Sequence, residues 1–77
     1  MATWRVGFNA GKAARQTFVD HLTQVGLRDV RLDDGRVSFV VECSDRRDAP
    51  YVAVDELLRA GVWWTWVETD RIEPVTR

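Results

Sequence analysis

The loop GFNAGKA, Gly7 to Ala13, is the one stretch of the chain whose glycines and lysine could hold a phosphate. A nucleoside-triphosphate loop needs Gly-x4-Gly-Lys and then Ser or Thr, because the backbone wraps the phosphates and the hydroxyl holds magnesium. Here the spacer is one residue short and Ala13 replaces the hydroxyl, which excludes that site. Free backbone N–H groups at a helix start could still bind a small anion together with Lys12. Helix capping explains Asn9 and Gly11 equally well, so both interpretations stay open.

Side chains able to perform acid–base or nucleophilic chemistry are few and isolated. His21 is the only histidine and Cys43 the only cysteine, and nothing in the sequence pairs them as base and nucleophile. A single cysteine also excludes an internal disulfide and a multi-cysteine metal site. The carboxylates of Asp33 and Asp34 belong to a turn signal. We find no catalytic constellation, and we therefore expect no cofactor and no metal and favour a non-enzymatic role.

The segment GVWWTW, Gly61 to Trp66, concentrates aromatic surface in one place. It holds three of the four tryptophans of the chain. A large aromatic side chain supplies roughly 150–250 Å² of apolar area, so a small core could use these rings. Tryptophan is also enriched at the hot spots of protein interfaces. The two hypotheses, core and contact surface, differ in which way each indole faces.

The composition is that of one small globular domain of 77 residues, with 45% hydrophobic residues and a net charge of -1. No basic cluster favours nucleic-acid binding, and no run approaches the ~20 apolar residues of a membrane span. The start of the chain does not resemble a signal peptide, and a lone cysteine fits a reducing cytosol. We expect a cytoplasmic protein with no membrane partner. Lys12 is the only lysine among 11 basic residues, which is typical of a GC-rich, bacterial genome.

Hydrophobic periodicity divides the chain into six elements. Alternation with a period of two predicts strands, and apolar residues spaced by three and four predict helices. Gly26 and Gly61 favour left-handed helix ends, and Asp34-Gly35 is the preferred two-residue type I′ hairpin turn. The predicted order is strand 3–8, helix 11–25, strand 29–33, strand 37–43, a helix between 48 and 61, strand 62–69 and a polar tail at 70–77. The stripes expected to face the sheet are Ala14, Phe18, Leu22 and Val25, then Tyr51, Val54, Leu57 and Leu58.

The element order β-α-β-β-α-β is the split βαβ pattern of ferredoxin-like domains. Right-handed crossovers place the strands in the order 4-1-3-2, because each helix must return over the same face of the sheet. The sequence therefore predicts an α+β, ferredoxin-like sandwich over residues 1–77. It has a four-stranded antiparallel sheet with both helices on one face.

Alternation along the last predicted strand decides which way the tryptophans face. It sends Trp64 and Trp66 under the helices with Trp4, and Trp63 onto the bare sheet face beside Arg5, where a cation–π contact is possible. The same strand is an apolar edge without charge or proline, which invites pairing with another chain. Cover of Trp63 by the C-terminal tail is the alternative. The residues expected to form the contact surface are Trp63, Thr65, Val67, Arg5, Val40 and Glu42.

Three families with this topology resemble parts of the chain. The segment GLRDVRLDDGRVSFVVE, 26–42, resembles acylphosphatases in its succession of helix stop, strand, turn and strand, but DVRLD lacks their asparagine and GFNAGKA lacks their phosphate loop. The whole chain is similar to ACT-type regulatory domains, which bind amino acids near a glycine in the position of Gly11. RNA-recognition motifs share the fold, but their base-stacking aromatics are replaced here on the outward positions of strands one and three. The resemblance to ACT-type domains implies a ligand sensor as an alternative function.

The sequence therefore predicts a small binding or regulatory module that associates with a protein, either as a homodimer or as an accessory subunit, around Trp63. The alternative is an ACT-like sensor of a small ligand or anion that uses Asn9, Gly11 and Lys12.

Overall fold

The computed structural model describes residues 1–75. Within that range the chain forms four strands and two α-helices. The strands are β1 Ala2–Asn9, β2 Arg28–Asp33, β3 Arg36–Cys43 and β4 Glu73–Pro74, and the helices are α1 Gln16–Gln24 and α2 Ala49–Arg59. Short 3₁₀ turns occupy Gly11–Ala13, Arg46–Asp48 and Thr69–Arg71.

The strands form one antiparallel sheet in the order β2-β3-β1-β4. Read from the other edge this is 4-1-3-2, so the predicted ferredoxin-like arrangement is confirmed. β1 and β3 pair along their full length, from Ala2 opposite Cys43 to Asn9 opposite Arg36. Both helices contribute to one core cluster with the same sheet face, and His21 of α1 donates from Nε2 to the carbonyl oxygen of Ala60 after α2 (2.9 Å).

The core consists of the inward side chains of β1 and β3 and a narrow side of each helix. The largest fully buried side chains are Phe8, Phe39, Leu22, Leu57, Val6 and Val37. Val19 and Leu22 of α1 are buried, whereas Val25, predicted to face the sheet, is exposed. The rings of Phe8 and Phe39 meet edge to face with centroids 6.3 Å apart, the geometry that aromatic pairs prefer.

The buried side of α2 differs from the predicted stripe. Ala49, Ala53 and Leu57 are buried, and Tyr51 and Leu58 are exposed. At 100° per residue the alanines and Leu57 lie on one side and the side chains of 51 and 58 lie opposite. The prediction was wrong because it weighted large apolar residues and overlooked the small ones that allow a helix to approach a sheet closely.

The first helix is shorter than predicted. Residues 11–13 form a 3₁₀ turn, Arg15 is extended with φ -131° and ψ 159°, and α1 begins only at Gln16. Its end at Gly26 was predicted correctly: φ is +105°, and the N–H of Leu27 donates to the carbonyl of Leu22 at 3.1 Å. Gly61 ends α2 in the same way, with Val62 donating to Leu57 at 2.8 Å. Both are left-handed glycine caps.

The last strand lies further along the chain than predicted. Residues 62–68 contain no strand, and β4 pairs at Glu73 with Arg5 and at Pro74 with Trp4. Ile72 is buried, so the predicted polar tail is wrong for residues 70–75, while 76–77 lie outside the described residues. An edge strand tolerates proline because its missing N–H can face outward. Residues 62–68 alternate like a strand and residues 73–74 include a proline, so hydrophobic periodicity alone does not identify the segment that pairs with β1.

The β2–β3 hairpin provides a test of local backbone geometry. Asp34 has φ 47° and Gly35 φ 79°, as a type I′ turn requires. A Cβ added at Gly35 would meet no atom within 4 Å, so Gly35→Ala should cost only the left-handed backbone penalty of about 1–2 kcal/mol. Urea unfolding measures this loss.

Gly7→Ala is the matched control, because its φ is not positive and its new Cβ would make ordinary contacts at 3.9 Å with Arg71 and Ser38. It should unfold at the wild-type midpoint or above it. Equal losses in the two variants would show that the turn is not the cause.

Candidate functional site

The tryptophan loop, residues 62–68, connects α2 to the 3₁₀ turn Thr69–Arg71. Both ends are anchored, because Val62 and Val67 are buried in the core cluster. Trp63 and Trp66, which lie between the two anchors, are each 77% exposed. The loop therefore holds two indoles in solvent on a backbone that is fixed at both ends.

The third indole of the loop is only partly covered. Trp64 is 47% exposed and packs at a tilt against Phe18 of α1, with ring centroids 5.8 Å apart. Trp4 is the tryptophan that belongs to the fold: it packs against the core and donates from Nε1 to the carbonyl of Cys43 at 3.2 Å. The prediction that Trp64 and Trp66 fill the core is wrong, because Val62, Val67 and Ile72 occupy it.

The bare sheet face carries ion-paired charges, whereas the predicted contact surface combined apolar residues with Arg5 and Glu42. Arg5 is largely covered; it forms an ion pair with Asp29 and donates to Ser38 Oγ at 3.0 Å. Glu42 accepts from Arg28 at 2.8 Å. Val40 is buried, so it offers little area to a partner. The remaining pairs on described residues of this region join Arg31 to Asp29 and both Arg36 and Arg71 to Glu68.

The residues predicted to form the contact surface with Trp63 also differ from the prediction in their position or their exposure. The neighbour of Arg5 on the outer side of β1 is Glu73, so a strand position beside Arg5 is not open to Trp63. Thr65 is half-buried and Val67 is buried. Of the six residues predicted to form a contact surface, two are exposed, Trp63 and Glu42. Trp63 lies in the loop after α2, and Glu42 lies in β3.

Both sheet edges are poor templates for pairing with another chain. β4 has two residues, one of them Pro74, and β2 carries four charged residues and an irregularity between Arg28 and Arg31. Short strands, prolines, charges and bulges are the usual means of blunting an edge. The predicted apolar edge at Trp63–Trp66 is wrong, since those residues form a loop.

The outer side of α2 mixes apolar and charged residues, since Tyr51 and Leu58 are exposed beside the ion pair of Asp55 with Arg59 (3.1 Å). Tyr51 is 78% and Leu58 54% exposed. An open groove of about 490 Å³ lies between α2 and the segment 69–72, with Pro50, Val54 and Ile72 in its lining and Arg46 and Arg47 among its other residues. A second groove contains Trp66, Glu68 and Asp70, and the two grooves share Thr69. Tyr51 and Trp66 therefore line adjoining grooves that meet at Thr69.

This part of the surface was missed by sequence reasoning because Tyr51 and Leu58 were assigned to the core. The signal was present in the alanines at 49, 53 and 60, which repeat at helical spacing on the opposite side of α2. The surface formed by Tyr51, Leu58, Trp63 and Trp66 is called the aromatic surface below.

The loop proposed for an anion is occupied by its own hydrogen bonds. Asn9 Oδ1 accepts from the N–H of Gly11 at 2.9 Å, and the N–H of Ala13 donates to Ala10 at 3.0 Å. Lys12 is exposed. Gly11 and Lys12 lie in the 3₁₀ turn that ends this loop, and Ala14 and the extended Arg15 separate that turn from the start of α1 at Gln16. The hydrogen bond from Gly11 to Asn9 closes a turn that precedes α1, and the N-cap of α1 is Arg15, so the prediction that Asn9 caps the first helix is wrong. An anion at Asn9, Gly11 and Lys12 stays a prediction.

The isolated reactive groups of the chain have structural surroundings. Cys43 is buried and its Sγ donates to the carbonyl of Asp45 at 3.1 Å; burial raises the pKa of this thiol. The pKa of Asp45 is lowered by its hydrogen bond from Arg47. Among residues 1–75 no three His, Cys, Asp or Glu side chains are grouped to hold a metal ion. In the same range no helix has the length and apolar character to cross a membrane.

Comparisons with known proteins found no relative. No protein family matches the chain, and neither a curated protein nor a solved structure shows significant similarity to it.

Proposed function

We propose that this chain is a protein-binding module and that its contact surface is the aromatic surface of the tryptophan loop and α2. The observation that carries the proposal is the pair Trp63 and Trp66, each 77% exposed although the loop is anchored on both sides in the core. The role is the one expected from the sequence, protein association. The location moves from the sheet face to the helix side of the molecule.

Exposure of these rings needs a reason other than folding. Single exposed apolar residues are ordinary, but a contiguous patch larger than a few hundred Å² on a monomer marks an interaction site. Tryptophan and tyrosine dominate interface energetics, because a rigid ring buries a large area for little loss of side-chain freedom. The anchored loop adds pre-organisation, which lowers the ordering cost of binding.

The proposal is tested with the double variant Trp63→Ala/Trp66→Ala. Because both rings are exposed, the free energy of unfolding should change by no more than about 0.5 kcal/mol per site. Binding to the partner should weaken by roughly 30-fold or more for each hot-spot tryptophan, the equivalent of about 2 kcal/mol. Capture by the immobilised chain, then titration calorimetry with the purified partner, gives the two affinities.

Leu32→Ala is the matched control, since Leu32 is an exposed apolar residue on β2, at the opposite edge of the sheet from β4. It should bind like the wild type. Equal capture by wild type and the double variant would disprove the proposed surface. Unfolding of the double variant would show that the two indoles are structural.

A further inference from the structure

We infer that the partner is a second copy of this chain, bound across the aromatic surface by a two-fold axis that places the groove beside α2 of one copy against the groove beside Trp66 of the other. This inference rests on the proposed function and names its occupant. Two observations carry it: the amount of exposed aromatic surface and the distribution of charge along the two grooves.

The exposed aromatic residues supply a large part of the area that a dimer of small subunits uses. Weighted by their exposure, Trp63, Trp66 and Tyr51 offer roughly 350–580 Å² if a ring contributes ~150–250 Å². A standard interface buries about 800 Å² on each partner. Leu58 and the half-buried Val54 add apolar area on the same outer side of α2. The aromatic surface therefore supplies roughly half or more of one side of a standard interface.

The charges give this surface a direction. Among the described residues, the groove beside Tyr51 is lined by Arg46 and Arg47 and by no acidic side chain, and the groove beside Trp66 by Glu68 and Asp70 and by no basic one. Glu68 is already paired with Arg36 and Arg71, so Asp70 is the carboxylate that the second groove offers to a partner. Arg46 donates to the carbonyl of Thr69 at 3.0 Å, which holds its guanidinium over the junction of the two grooves. Arg47 is paired with Asp45, yet its side chain is 86% exposed.

A two-fold axis between the grooves makes this asymmetry self-complementary. In an isologous contact each residue meets its counterpart in reverse, so the arginine end of one copy lies against the acidic end of the other, twice. Arg47 would approach both Asp70 and Trp66 of the second copy, an ion pair and a cation–π contact. The net charge of -1 offers little general repulsion to self-association.

Sedimentation equilibrium over a dilution series tests the inference. The wild type should form a dimer that dissociates on dilution, and Trp63→Ala/Trp66→Ala should weaken it at least about 100-fold. Arg47→Glu and Asp70→Arg should each weaken their own dimer roughly tenfold, because like charges then face each other at both ends. In Arg47→Glu the Asp45 Oδ1 still accepts from the backbone N–H of position 47, since that bond does not use the side chain of Arg47.

An equimolar mixture of Arg47→Glu with Asp70→Arg distinguishes this arrangement from others. In the two-fold dimer a mixed pair has opposite charges at both ends, so the mixture should dimerise within about threefold of the wild type, unlike either variant alone. Rescue in the mixture supports the inference. Absence of rescue, or a dimer indifferent to the two tryptophans, overturns it.

The inference and the proposed function can fail separately. A wild type that stays monomeric at several hundred micromolar overturns the second copy as partner. If the monomer still captures a different protein and loses it in Trp63→Ala/Trp66→Ala, the binding role stands. If neither self-association nor capture depends on the tryptophans, both proposals are wrong.

Discussion

Phe39→Ala should lower the free energy of unfolding by about 3–5 kcal/mol, the usual cost of removing a large buried aromatic ring. Phe39 is completely buried at the centre of β3, opposite Val6 of β1 and in edge-to-face contact with Phe8. A chain of this length has a total stability of roughly 4–12 kcal/mol. The variant should therefore lose a quarter or more of its stability, and urea unfolding followed by circular dichroism measures the change.

The control for Phe39→Ala is Trp66→Ala, which removes a larger ring from solvent. Its effect on the free energy of unfolding should stay within about 0.5 kcal/mol. The comparison decides which aromatic residues form the core. Equal losses in the two variants would place Trp66 in the core, as the strand alternation predicted, and would contradict the loop.

Ile72→Ala is expected to cost about 2–4 kcal/mol, because a buried aliphatic side chain is lost and a cavity remains. Ile72 is 4% exposed and lies one residue before β4, where it contributes both to the core cluster and to the lining of the groove beside α2. Loss of this side chain should also loosen the pairing of Glu73 and Pro74 with β1. The melting temperature should fall by roughly 4–8 °C for each kcal/mol of stability lost, as expected for a domain of this size.

Val75→Ala is the matched control for Ile72→Ala, since Val75 is an exposed aliphatic residue of the same segment. Its N–H donates to Thr3 at 2.9 Å, a backbone bond that alanine preserves. The melting temperature should stay close to that of the wild type. An Ile72→Ala variant as stable as the wild type would restore the interpretation of residues 70–75 as a tail.

The parts of the fold that could be predicted depend on short-range chemistry. The turn at Asp34-Gly35 needs a positive φ at both positions, and these two residue types tolerate it. Gly26 and Gly61 end their helices because glycine adopts a positive φ without steric cost. The alternation in β1 and β3 follows from the period-two geometry of a strand with one covered face. Once the six elements are in order, the handedness of the crossovers leaves one sheet order. None of these steps requires knowledge of the tertiary contacts between side chains.

The candidate site depended on packing, and there the sequence was ambiguous. Residues 62–68 have the composition of a strand, yet β4 forms at Glu73–Pro74, because the segment that pairs with β1 is the one whose neighbour Ile72 fills the core. Strand propensity describes how a side chain fits a half-buried surface, so it cannot say which surface is present. A strand misplaced by several residues changes the face of every tryptophan in it.

The sequence by itself determined the order of the elements, their turns, the sheet order and the inward residues of the two central strands. The tertiary structure decided that Ala49, Ala53 and Leu57 face the sheet, that Tyr51 and Leu58 face solvent, and that Trp63 and Trp66 stand outside. The physical reason is volume. Burial of a side chain depends on the space left by residues distant in sequence. Here Val62, Val67 and Ile72 fill that space in place of an indole.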